Sequence, residues 1–255
     1  MTKERIQKVL SAAGVASRRA IEQMLLEGRI AVNGALARSL PCFVDPASDL
    51  IELDGRPVGR RQRPRTYVLV SKPKGVVCSP DEDPNRPCVM EMVPDLPKGA
   101  RCVGQLERDG TGLVLLTDDG QLQQHLTHAR YQVPKTQVVE IEGRLGEEEI
   151  ARLKAGLFVD GKRTAPAAVK VLRGSPTRSQ LEIRSVENSD RVVRRMLEAV
   201  GRKVLRMKRV AIGPITDEGL KIGHCRHLRP GEVARLLRGA SRAERPGKGQ
   251  GTRTR

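Results

Sequence analysis

Aromatic side chains are almost missing from this chain: two Phe, two Tyr and no Trp among 255 residues. Readers of single-stranded nucleic acid stack its bases on aromatic platforms, so the sequence excludes that class. Cysteine is scarce as well. Cys42, Cys78, Cys88, Cys102 and Cys225 are an odd number without a C-x-x-C pair, and only four His accompany them. Neither a disulfide framework nor a zinc site follows from that pattern. His125 and His128 share one face of an expected short helix, where packing explains them better than a metal does. No metal site is expected. Long apolar runs are lacking too: none approaches the roughly 20 residues that span a bilayer, and the opening MTKERIQKVL has no secretory core. The expectation is a cytoplasmic monomer without membrane contact.

Acidic residues are the minority, 30 against 47 Lys and Arg, which leaves a formal charge of +17. Neutralising phosphates with release of counterions favours a polyanionic partner. The excess is uneven: residues 191–255 hold 18 basic and 5 acidic side chains. With 38% hydrophobic residues the chain can build one mid-sized and one small domain.

Ile6, Val9 and Leu10 recur at helical spacing, and Ser17 is a good N-cap for a second helix that carries Ile21, Met24 and Leu25 before Gly28. Asn33-Gly34 between short apolar runs is a strong hairpin signal, and Ile51 to Gly55 closes the sheet. Residues 61–65, inside the stretch RPVGRRQRPR, form a basic linker between an N-terminal domain (1–60) and a larger one (66–238). There the pattern alternates. Strands are expected at 66–70, 113–116, 135–142, 168–172, 179–185 and 204–212, and helices at 121–128, 147–155, 191–200 and 231–238, an α+β arrangement. The tail 239–255 has little to bury.

ERIQKVLSAAGVASRRAIEQMLLEGRIAVNG resembles the S4 RNA-binding domain, which implies that Arg5, Lys8, Ser17, Arg18, Arg19 and Asn33 face RNA. Arg18 and Arg19 at a helix start oppose the helix dipole. An external anion would explain them. Val103 to Gly120, VGQLERDGTGLVLLTDDG, resembles the signature of ribosomal-RNA pseudouridine synthases of the RsuA type: G-R-L-D, four further positions, then G-L, three hydrophobic residues and T-x-D-G. Gly104, Leu106, Gly112, Leu113, Leu116, Thr117, Asp119 and Gly120 fit it. The resemblance implies a small S4-like domain joined to a catalytic-type domain with a mixed, largely antiparallel sheet, and structured RNA, most of all ribosomal RNA, as the partner.

Such enzymes break the N-glycosidic bond of an extruded uridine, turn the base and rejoin it through carbon, using one carboxylate, so the resemblance implies no cofactor. The resemblance maps that carboxylate onto Glu107, the arginine that fills the vacated space onto Gln105, and the strand tyrosine that packs on uracil and serves in proton abstraction onto Gln137 in Lys135-Thr136-Gln137. Its arginine partner for the carboxylate is Arg194, in Asp190-Arg191-Val192-Val193-Arg194-Arg195-Met196 where the family has N-R-Q-V-R-R-M. Lys72, in a K-P-x-G motif, together with Gln105, Arg108, Lys135, Arg191, Arg195, Lys208 and Arg209, is expected against RNA. Glutamate sets its carboxylate about 1 Å further out than aspartate, and a displacement of that size costs about a hundredfold in rate. Glutamine has no titratable proton. Neither Tyr131, upstream of the strand, nor Asp109 is expected to stand in for the missing groups. Two functions of different class remain: an RNA-binding protein whose catalytic set has decayed, which the three replacements favour, and an active isomerase with Glu107 as nucleophile. A DNA-binding regulator also fits the charge and predicts a preference for duplex DNA.

Overall fold

The computed structural model describes residues 3–46, 48–58, 64–97 and 99–242, with backbone alone for 239–242. Positions 61–63 of the expected linker and 243–255 of the expected tail lie outside the described residues. Two units emerge, Met1–Thr66 with Pro97–Ala100 and Asp118–Gly120, and the remainder.

In the first unit β1 (Glu4–Arg5) leads into α1 (Ile6–Ala12), and α2 (Arg18–Leu26) starts where the Ser17 hydroxyl accepts the Ala20 N–H. Strands β2 (Ile30–Val32), β3 (Ala35–Leu36), β5 (Ile51–Leu53) and β6 (Arg56–Pro57) form a sheet in the order β3-β2-β5-β6, while β4 (Phe43–Val44) pairs with β1. Both tight turns use successive positive φ, at Asn33-Gly34 and Asp54-Gly55, the geometry that matches the twist of hairpin strands. Ile6, Leu10, Ile21, Leu25, Ile30, Val44 and Ile51 make the core. Each of these side chains belongs to the apolar periodicity of its element.

The second unit is built on a nine-stranded mixed sheet. Its strands in chain order are β7 (Tyr67–Lys72), β8 (Arg101–Val103), β9 (Thr111–Thr117), β10 (Lys135–Glu142), β13 (Ala168–Gly174), β14 (Arg178–Ser185), β15 (Val204–Ile212), β16 (Ile215–Thr216) and β17 (Cys225–His227). A separate hairpin joins β11 (Phe158–Val159) to β12 (Lys162–Arg163). Helices α3 (Gly120–Thr127), α4 (Glu147–Ala155), α5 (Asp190–Ala199) and α6 (Pro230–Arg242) complete the unit. The order is β13-β14-β10-β15-β9-β7-β17, with β8 on β9 and β16 on β15; only β9 and β15 run parallel. The last helix extends four residues beyond the expected 238, into the start of the expected tail. Short β8, β17 and the 158–163 hairpin were not expected at all.

The parallel contact depends on one residue. Gly112 lies opposite Arg209 with φ +102°, and a Cβ there would sit 2.1 Å from the Arg209 carbonyl oxygen. Any side chain must push β9 away from β15. Gly112→Ala is expected to lower stability by about 2–3 kcal/mol, read as a fall in the urea midpoint; an unchanged midpoint would show that the strands separate freely.

Candidate active site

Glu107 lies midway along the short crossing between β8 and β9, and one main-chain polar group at each of residues 104–108 is held by a side chain outside that stretch. The Cys102 thiol donates to the Gly104 carbonyl (3.1 Å), and Arg209 Nη2 donates to the Gln105 carbonyl (2.9 Å). Cys78 Sγ accepts the Leu106 N–H (3.3 Å), and Asp190 accepts the Glu107 N–H (3.1 and 3.3 Å to its two oxygens). Lys72 Nζ and the Gly75 N–H both reach the Arg108 carbonyl, at 3.3 and 2.9 Å. Backbone placed this way depends little on the side chains displayed at 105 and 107.

The Glu107 carboxylate is 28% exposed and takes the Arg194 Nε–H at 2.7 Å, with Arg191 Nε at 3.9 Å. Arg194 is projected from α5, whose Val193, Met196 and Leu197 are buried in a core shared with Val139 and Ile141 of β10. The amphipathic pattern therefore fixes which arginine meets Glu107. Gln105 is exposed. Its side chain displays an amide where the family motif has a guanidinium.

Gln137 lies on β10 opposite Arg209 of β15 and Ile183 of β14, 3% exposed, and its Oε1 finds no hydrogen-bond partner. No aromatic ring replaces the missing one by moving in from Tyr131. That ring is 4% exposed in a different cluster, edge-on to His125 and beneath the Arg130 guanidinium at 4.5 Å. His125 and His128 both pack on Tyr131, and no group of three or more metal-ligating side chains occurs among the described residues.

Three cations expected to face RNA are inside the protein. Lys72 is fully buried and gives its ammonium to the carbonyls of Pro73, Val76 and Arg108; Lys135 gives its own to Leu126 O and Asn188 Oδ1. Burial, assisted by Arg209, pushes Lys135 down to about 8, and burial also lowers Lys72. Arg209 is 2% exposed and serves Gln105 and Leu113 carbonyls. A cation whose donors meet main-chain carbonyls or a side-chain amide oxygen is satisfied within the protein, and burial takes these three off the expected RNA face. Arg108, Arg191 and Arg195 are exposed, the last paired at 3.9 Å with Glu198, while half-exposed Lys208 pairs with Asp217.

Asp190 was not singled out from the sequence as a site residue. It occupies the asparagine position of the N-R-Q-V-R-R-M pattern, 1% exposed, with burial raising its pKa against the opposing pull of Arg209. Gly110 makes room for it: a Cβ there would lie 2.7 Å from Asp190 Oδ2. The Cys78 thiol, its pKa lowered by its neighbour Cys102, was likewise not singled out. Nothing in linear spacing announces that it caps a peptide N–H.

In the first unit Arg5, Ser17, Arg18 and Arg19 are exposed, and Arg18 and Arg19 have no ion-pair partner among the described residues. Lys8 pairs with Glu4 at 2.9 Å. Asn33 is spoken for, since its amide bridges Asp49 and the Leu50 N–H.

Fold and site together define an RNA-modifying type of protein: the chain belongs to the RNA pseudouridylate synthase family, whose pattern matches residues 66–199, and an S4 domain matches residues 4–40. Its relatives include an uncharacterized RNA pseudouridine synthase of Aquifex aeolicus, 38% identical over 93% of this chain and 95% of that one. Ribosomal large subunit pseudouridine synthase B of Bacillus subtilis is 37% identical over 91% and 95% of the two chains. A solved crystal structure of a pseudouridylate synthase superposes with a TM-score of 0.66 at 27% identity, covering 91% of this chain and 99% of the other.

Proposed function

We propose that this protein binds structured ribosomal RNA, of the large subunit by relation to the Bacillus subtilis synthase, and that its isomerase step is slowed to near loss. In this reading it works as a monomer in the cytoplasm. The observation that carries the proposal is Gln137. A buried amide without a titratable proton stands at the strand position where the family reaction uses tyrosine to pack on uracil and to take a proton. The longer carboxylate of Glu107 adds to the impairment. Binding needs neither group, and the exposed arginines of α2 and α5 remain available for phosphate contacts.

A specific observation favours the second reading, an active enzyme with Glu107 as nucleophile. The loop is held at five successive residues, and the Glu107 to Arg194 pair is intact. One experiment separates the two. Purified protein is incubated with large-subunit ribosomal-RNA fragments, and binding and pseudouridine formation are measured together. Tight binding with little or no conversion is expected. Conversion at an ordinary enzymatic rate that Glu107→Gln abolishes would establish the active enzyme instead.

A further inference from the structure

A second concave site lies away from Glu107, Gln137 and Arg194. A cavity of about 540 Å³ opens between α6, the turn that joins β15 to β16, and the segment leading into β10. Its apolar lining comes from Tyr131, Val133, Pro134, Pro214 and Leu236, and its cationic lining from Arg184, Arg235 and Arg238. No carboxylate lines it among the described residues. None of the three arginines has an ion-pair or hydrogen-bonding partner among the described residues, although most other arginines around the sheet are matched to an acid or a carbonyl.

Two elements converge to produce this. Arg184 stands on β14 beside Thr136 of β10, and Arg235 and Arg238 are three apart on α6, where Leu236 and Leu237 tie the helix to the core. Residues three apart on a helix point the same way. Like charges gathered around one hollow repel each other, and three guanidinium groups with open forks match phosphate oxygens in bidentate geometry. The volume is in the range that encloses a small organic ligand, and an apolar lining suits a flat ring or a sugar face. A bare inorganic anion would leave that lining unused.

We propose that this cavity binds a nucleoside phosphate, its phosphate gripped by Arg184, Arg235 and Arg238 and its base or ribose laid on the apolar wall. The proposal rests on the RNA-binding reading for its preferred occupant, one nucleotide of the bound strand outside the target position. A free mononucleotide presents the same chemistry. The charge excess of residues 191–255 thereby gains a local purpose in Arg235 and Arg238.

The test uses the full chain and two triple variants, Arg184→Ala/Arg235→Ala/Arg238→Ala and the same three positions changed to Lys. Binding of a large-subunit ribosomal-RNA fragment is followed across a salt series, and uridine 5′-monophosphate is titrated separately by NMR. The alanine variant is expected to bind RNA about tenfold more weakly, with a salt slope shallower by about 2 to 3. The lysine variant should recover the slope while remaining weaker than wild type, because ammonium groups do not reproduce the fork. If RNA binding is unaltered but saturable uridine monophosphate binding vanishes in the alanine variant, the occupant is a free nucleotide. A lysine variant equal to wild type, or no effect in either titration, overturns the site and leaves only diffuse charge. Should wild type fail to bind RNA, the RNA reading falls while the mononucleotide titration still decides the cavity.

Discussion

Glu107→Asp combined with Gln137→Tyr is expected to raise single-turnover pseudouridine formation on a ribosomal-RNA fragment by at least about ten-thousandfold over wild type. Two terms make up that figure. Shortening the side chain withdraws the carboxylate by about 1 Å, worth about a hundredfold where geometry limits the step, and a positioned base contributes about 10² to 10⁴. Glu107→Asp alone should recover only the first part. The surroundings favour the change, because the loop backbone is held by Cys78, Cys102, Asp190, Arg209 and Lys72 rather than by the side chains being replaced. Removing the Gln137 amide costs little, since its Oε1 is already without a partner. A wild-type rate equal to that of the double variant would sink the impaired reading. No gain in the double variant would locate the defect elsewhere, with Gln105→Arg as the next restoration.

Arg209→Met should be the most destabilising single change in the second unit, by about 3–5 kcal/mol, the usual result of stranding a buried charge. The guanidinium is buried against the Gln105 and Leu113 carbonyls, and it is the opposite charge that Asp190 senses. Its loss would leave both carbonyls without these donors and the Asp190 carboxylate without compensation. Adding Asp190→Asn should return part of the loss, because the amide carries no charge to desolvate and keeps an oxygen for the Glu107 N–H. The measurement is a double-mutant cycle by urea unfolding. A cost below about 1 kcal/mol for Arg209→Met, or strict additivity, would show that the two charges do not act on each other.

The sequence disclosed the long elements because their periodicity is strong and uninterrupted. Residues 135–142 form a strand with alternating burial along its first seven residues, and 147–155 and 204–212 fall where pattern and breakers place them. Asn33-Gly34 marked its turn through the positive φ that both residues adopt. Strands of two or three residues, such as β8 and β17, are too short for any period to register. The site was half legible. Glu107, Gln137 and Arg194 could be located by motif, whereas the inward course of Lys72, Lys135 and Arg209 could not, since a basic residue in a strand looks the same in sequence whether its charge meets phosphate or carbonyl oxygen. Thiol and carboxylate groups that serve peptide bonds 28 and 83 residues away leave no trace in spacing.

The external bracing of residues 104–108 separates two things that most catalytic loops keep together, the course of the chain and the identity of what it presents. Positions 105 and 107 can exchange their side chains while the path beneath them is kept by other parts of the domain. Such a mount is well suited to installing unrelated chemistry, for instance a photoreactive or metal-chelating amino acid aimed at whatever RNA settles on this surface.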